Sequence, residues 1–376
     1  MDPDETRGYR IQSIDLLRGV VMVLMAIDHS RAFLHEDFNV FNAEDLARTS
    51  PILFFTRWVT HFCAPVFIFL VGASAYLMES KMRSKKNLSI FLFSRGAFLI
   101  LLELTIFRFC WQPQAHFFQP FILLLVIWAI GVSMIYLAGI IHLSNGVILG
   151  SGLIILFFHN TLSSIAFPPG GAISVFWTFF YAGGYNQLTE NIGVVFLYSV
   201  LPYFGLVALG YSFGQLYTSA FDITRRRQFL IGLGVSCILL FIVLRYYNLY
   251  GDPSPWSTGK DTIFTLMAFL KATKYPASLQ FCLMTLGPAF LLLAFTESTR
   301  NSFTYFLITI GKVPMFYYIL HLFAFVGIGF VAGFNTMNLG MVYFSFAAVV
   351  FVLFVFCDLY SKYKFSHPGK RWLKFI

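Results

Sequence analysis

Residues 14–33 read IDLLRGVVMVLMAIDHSRAF, an apolar run long enough to cross a bilayer as one helix. It follows a short polar start carrying Arg7 and Arg10, and it is too long for the apolar core of a secretory signal, so it is read as a retained first helix. Comparable runs recur along the chain at 58–78, 88–107, 120–141, 147–162, 192–217, 228–246, 279–296, 303–330 and 339–359. They predict an all-α fold, a polytopic membrane helix bundle of about ten spans in a single membrane-embedded domain covering residues 1–376.

Composition supports this and narrows the function classes. The 376 residues are 58% hydrophobic and 11% charged, with 47 Phe, whereas soluble domains carry about a quarter charged residues. The net charge of +9 does not point to nucleic acid, because the lysines and arginines fall in short clusters between apolar runs. Lys81, Arg83, Lys85 and Lys86, then Arg225 to Arg227, then Lys362 to Lys374 share one side if ten spans are counted, and the positive-inside bias makes that side cytoplasmic. Both termini are then cytoplasmic. The loops 34–57, 108–119, 163–191 and 247–278 face outward, and within them 174–182 and 261–278 read as re-entrant or interfacial pieces. The five cysteines show no metal-ligand spacing, and no metal site is expected.

An ionisable side chain inside a bilayer is costly, so each one in a span is a candidate for function. The first run carries Asp28, His29 and Arg31, with His35 just beyond; Asp28 and Arg31 are spaced to pair on one helix face. The second is entered through Arg57 and His61, i,i+4 neighbours, and Pro65 removes the donor that would have bonded the His61 carbonyl. Arg108 and His116 lie at the outer end of the third and fourth spans, His159 at that of the fifth, and His321 in the outer half of the ninth. A lone His116 or His159 is more simply read as polar glue between helices. Asp28, His29 and His61 together favour catalysis, in a shared pocket near the outer face, with Asp28 orienting His61 or another histidine. Glu103 and Lys312 read as structural charges, and Gly72, Gly205 and Gly210 as helix-packing positions.

The strings SIDLLRGVVMVLMAIDHSRAFLH at 13–35, FFTRWVTHFCAPVFIFLVGASAYL at 54–77, VLPYFGLVALGYSFGQ at 200–215, TKYPASLQFCLMTLGPAFLLL at 273–293 and GKVPMFYYILHL at 311–322 resemble the bacterial branch of the heparan-alpha-glucosaminide N-acetyltransferase catalytic family. The resemblance implies acyl transfer from acetyl-CoA to a saccharide or cell-envelope acceptor at the outer face of a bacterial cytoplasmic membrane. In the lysosomal member an Asn near the outer end of the first helix and a His soon after it are the proposed catalytic pair. Asp28 stands in the first place here, and His35 or His29 in the second. The expected catalytic residues are therefore Asp28, His29, His35 and His61, and the expected substrate-binding residues Arg31, Arg57, Arg108, His116 and His321. The expected partners are an acyl-CoA donor, the acceptor and the lipid bilayer, with a homodimer left open. The rival reading is a solute or proton-coupled transporter, for which intramembrane carboxylates and histidines are equally expected.

Overall fold

The computed structural model describes residues 11–82, 84–112, 121–168, 170–190, 192–218 and 221–374. In chain order the elements are α1 (Gln12–Leu34), α2 (Pro51–Trp58), α3 (Cys63–Met82), α4 (Lys85–Leu102), α5 (Arg108–Trp111), β1 (Phe121–Leu124), α6 (Val126–Ile140), α7 (Asn145–Phe158) and α8 (Ala172–Trp177). There follow β2 (Gly184–Thr189), β3 (Ile192–Phe196), α9 (Leu201–Phe213), α10 (Ile223–Tyr246), α11 (Thr262–Leu270), α12 (Leu279–Thr296), α13 (Ser302–Lys312), α14 (Pro314–Ala332) and α15 (Leu339–Ser366). The fold is mostly α-helical. Among the described residues seven helical stretches are long and apolar enough to cross a membrane: Pro51–Glu79, Lys85–Trp111, Asn145–Ser164, Ile223–Tyr246, Leu279–Thr296, Pro314–Ala332 and Leu339–Ser366. The chain is an integral, multi-pass membrane protein.

By its contacts the chain divides into two compact units, residues 1–42, 221–234 and 288–376 forming one and residues 43–220 and 235–287 the other. In the first, α1 packs against α13, α14 and α15. At 23 residues α1 is about 34 Å long, and its four charges pair along its own surface, Arg18 with Asp15 at 2.8 Å and Arg31 with Asp28 at 3.0 Å. Self-pairing within the helix lets so charged a segment be buried. Its contact with α13 is backbone to backbone: a Cβ on Gly311 would lie 1.9 Å from the Asp15 carbonyl oxygen, and one on Gly19 1.9 Å from that of Leu307. Leu16, Leu307 and Ile308 fill the space beside these glycines.

The second unit is built on α3 against α9, α4 against α6 and α7 against α9. Gly72 and Gly210 set the closest approach, since added Cβ atoms would lie 2.1 Å from the Val207 oxygen and 1.9 Å from the Phe69 oxygen. Gly72, Gly205 and Gly210 thus are packing positions, as small residues at membrane helix interfaces generally are. Between α2 and α3 the helix tightens into a 3-10 turn at Val59–Phe62, just before Pro65. Pro65 cannot donate to the His61 carbonyl, so the turn that carries His61 is released from regular α-helical pairing.

Two expectations are corrected. The runs 120–141 and 192–217 are not helical throughout: each begins as a strand, and β1, β3 and β2 form a three-stranded sheet in that order, β1 parallel and β2 antiparallel to β3. A short apolar run satisfies a buried strand as well as a helix, and FILL and IGVVF carry the branched and aromatic residues that strands prefer. The run 303–330 is two helices, because Val313 adopts φ −134°, ψ 54°. The ring of Pro314 disfavours the helical conformation at the residue before it and starts α14 in its own first turn. The segments 174–182 and 261–278 contain short helices, Ala172–Ala182 and α11; α11 rests on α2 through Phe54, Phe264 and Met267.

Candidate functional site

The predicted site residues fall into two groups. Asp28, His29, Arg31, His35 and His321 belong to the first unit, and Arg57, His61 and Arg108 to the second. His116 lies outside the described residues.

In the first group α1 and α14 bring two imidazoles together from sequence positions nearly three hundred residues apart: His29 Nδ1 lies 2.6 Å from His321 Nε2, with the rings near parallel at 8°. His321 Nδ1 lies 2.9 Å from the Tyr317 carbonyl oxygen. A carbonyl only accepts, so His321 Nδ1 carries a proton and its Nε2, in the neutral ring, accepts from His29 Nδ1–H. The result is a two-histidine chain ending on backbone. Both rings are buried, and Tyr318 packs edge-on to each. Arg31 is also buried; besides Asp28 it faces the Phe38 ring at 5.0 Å. His35, in the turn after α1, is buried with no hydrogen bond at Nδ1 among the described residues. Its backbone is clamped: Asn335 donates to its carbonyl at 3.0 Å, and Glu36 N donates to the Met337 carbonyl at 3.0 Å. Burial pushes the His35 imidazole below its ordinary range, toward the neutral form; Asp37 opposes this and Arg31 adds to it.

The second group centres on Glu44, in the segment between α1 and α2. Glu44 reaches His61 Nε2 at 3.5 Å and Arg57 Nε at 3.7 Å, so the i,i+4 face shared by Arg57 and His61 meets a carboxylate. The acid beside His61 is therefore Glu44, whereas the orienting acid was expected to be Asp28. Burial raises the Glu44 carboxyl, and the His61 imidazole, the Arg57 guanidinium and the Lys274 ammonium together outweigh it, holding it at about 2. Glu44 is thus an anion at any physiological pH. His61 is fully buried, its ring edge-on to Phe281 at 5.3 Å. Neither ring nitrogen has a hydrogen-bond partner at bonding distance among the described residues, since the approach to Glu44 is longer than a hydrogen bond.

The remaining candidates are tied to backbone. Arg108 donates to the Phe121 carbonyl at 3.3 Å, at the start of β1. His159 faces the Ile155, Leu156 and Ala277 carbonyl oxygens at 2.9, 3.0 and 2.9 Å, the arrangement of polar glue. Glu103 accepts from Leu125 N at 2.8 Å and so ties α4 to the start of α6.

A buried imidazole beside a carboxylate, with cations close by, has the parts for taking a proton from an amine or hydroxyl while charge develops on a neighbouring oxygen. The model of heparan-alpha-glucosaminide N-acetyltransferase, catalytic, matches residues 10–244. The chain belongs to this family. The match takes in both polar groups of α1 and α2–α3 but ends inside α10, so Lys274 and His321 lie beyond it. No curated protein matches the chain. Membership of this family marks the chain as a membrane acetyltransferase by family.

Proposed function

We propose that this chain transfers an acetyl or similar acyl group from acyl-CoA to a saccharide or cell-envelope acceptor at the extracytoplasmic face of a bacterial cytoplasmic membrane. Residues 1–376 act as one membrane-embedded acyltransferase domain. Its ten crossings are the seven long apolar stretches together with α1, α6 and α9, and the basic connections put both termini in the cytoplasm. The observation that carries the reading is His61: fully buried, unbonded at both ring nitrogens among the described residues, and next to a carboxylate held at about 2.

In this reading Glu44 faces Nε2–H and favours the tautomer with the lone pair on Nδ1. Nδ1 takes the proton from the acceptor amine or hydroxyl as that atom attacks the acyl carbon. The new carbon–nitrogen or carbon–oxygen bond forms, the carbon–sulfur bond breaks, and His61 returns its proton to the departing CoA sulfur. Arg57, held against Glu44, supplies positive charge for the anionic groups of the donor. Asp28, His29 and His35 form a second set of candidates, supported by the resemblance of 13–35 to the family's catalytic segment.

The test uses purified protein and labelled acetyl-CoA, with glucosamine as acceptor probe. His61→Ala is expected to lose transfer, with Asp28, His29 and His35 alanine variants assayed beside it. Unchanged turnover in all four removes the proposed site. Solute flux in proteoliposomes without any label transfer would favour the transporter reading instead.

A further inference from the structure

Lys274 lies in the loop between α11 and α12, outside the candidates that sequence spacing singled out, and it is 6% exposed. Its ammonium has no hydrogen-bond acceptor among the described residues. Its neighbours are the Tyr275 and Tyr198 rings, whose centres lie 5.2 and 5.9 Å away, and the charge of Glu44. The side chain is buried while its ammonium nitrogen is not fully enclosed, so its donors remain available to an incoming oxygen, and the aromatic faces offset part of the charge's desolvation.

The loop is nevertheless built to hold it there. Asp252 accepts from Thr273 N at 2.7 Å, from the Thr273 hydroxyl at 2.7 Å and from the Ser278 hydroxyl at 2.8 Å, gripping the chain on both sides of Lys274. Ser278 N donates to the Thr273 carbonyl at 3.0 Å and closes the turn. The Ala277 carbonyl is fixed by His159, and Leu279 N donates to Asn160 at 2.9 Å. Asp252 is itself 3.8 Å from Arg245, whose buried guanidinium donates to the Phe269, Ser254 and Ala268 carbonyls. A cation with free donors on so braced a loop meets the requirement for electrostatic catalysis, in which the charge is in place before the reaction needs it.

We propose that Lys274 is a catalytic residue whose ammonium donates to the acyl carbonyl oxygen as that oxygen gains negative charge in the transfer step. The inference rests on the reading of His61 as base. When the acceptor attacks, the carbonyl π pair moves onto oxygen, and Lys274 stabilises the oxyanion beside the imidazolium that His61 has become. When the intermediate collapses, that pair re-forms the carbonyl, the carbon–sulfur pair leaves on sulfur and His61 protonates it. Lys274 keeps its own proton throughout. Arg57, engaged with Glu44, is the less available of the two cations.

The test is steady-state release of CoA thiol from acetyl-CoA by full-length protein in nanodiscs, with glucosamine as acceptor probe. Lys274→Met is expected to lower kcat about 100-fold or more, the cost of one oxyanion donor, with KM for acetyl-CoA within about twofold of wild type if this donation is confined to the transition state. Lys274→Arg should keep a tenth or more of the activity, and methylammonium should partly restore Lys274→Ala. Thermal melting reports folding of each variant; if Lys274→Met fails to fold, the arginine variant and amine rescue decide. A raised KM with unchanged kcat, or full activity in Lys274→Met while His61→Ala is dead, overturns the role of Lys274 and leaves the base intact. Full activity in both variants, or no CoA release by the wild type, overturns the base as well.

Discussion

The two histidine clusters differ in how their imidazoles are bonded. In the first unit His29 and His321 bond to each other and finish on the Tyr317 carbonyl, so the His321 ring has both nitrogens satisfied within the fold. In the second, His61 is as deeply buried, yet it has a carboxylate near one nitrogen and, among the described residues, no bonded partner at either. Burial alone therefore does not distinguish a working imidazole from a structural one. The distinguishing feature is whether the proton positions are already committed to protein acceptors.

The largest expected effect falls on His61. His61→Ala should cut acetyl transfer about 1,000-fold, within the range for a general base, whereas His29→Ala should cost far less; an equal or greater loss at His29 would reverse the comparison. Next is Glu44. A folded carboxyl at about 2, against an ordinary 4.5, stabilises the fold by about 3 kcal/mol at neutral pH. The sign follows from the depressed value: the contribution is complete above pH 4.5 and is lost as pH falls toward 2. Melting temperatures of wild type and Glu44→Gln in detergent should therefore differ at pH 7 and converge by about pH 2. A gap that persists unchanged across that window would mean that Glu44 contributes through packing rather than charge.

A smaller effect tests whether each cluster depends on the helix contact in its own unit. Gly311→Ala and Gly210→Ala each force a Cβ against backbone and should destabilise by about 1–3 kcal/mol, read from thermal melting. Gly210→Ala should disturb transfer more than Gly311→Ala, since α3, which follows directly from His61, packs on α9.

What the sequence revealed follows from the range of each interaction. The apolar helices, the charged first helix and the packing glycines are written locally, in periodicity and composition. The break at Val313 was also legible, since Pro314 follows it, but the long apolar run masked it. The sheet was not legible, because FILL and IGVVF gain their identity by pairing with each other across some seventy residues. The pairing of His29 with His321 and the convergence of Glu44 and Lys274 on His61 are likewise set by tertiary packing, and no local spacing encodes them. Lys274 had one available signal: a basic residue inside TKYPASL, in a stretch of mixed apolar and basic character.

The smallest effect is the most direct probe of the structural cluster. Replacing His29 by Ala leaves His321 Nε2 buried without its donor, at a cost of about 1–2 kcal/mol for an unsatisfied group. Replacing His321 instead removes the acceptor of His29 Nδ1. If the two rings act as one hydrogen-bonded unit, the double alanine variant should be destabilised by about 1 kcal/mol less than the two single changes added together, because each alone has already broken the same bond. Transfer should stay within about tenfold of wild type in all three if, as its bonding suggests, His321 has both ring nitrogens committed within the fold. Additive stability losses together with a shared collapse of activity would instead make the pair part of the reaction, and His61 would lose its distinction from it.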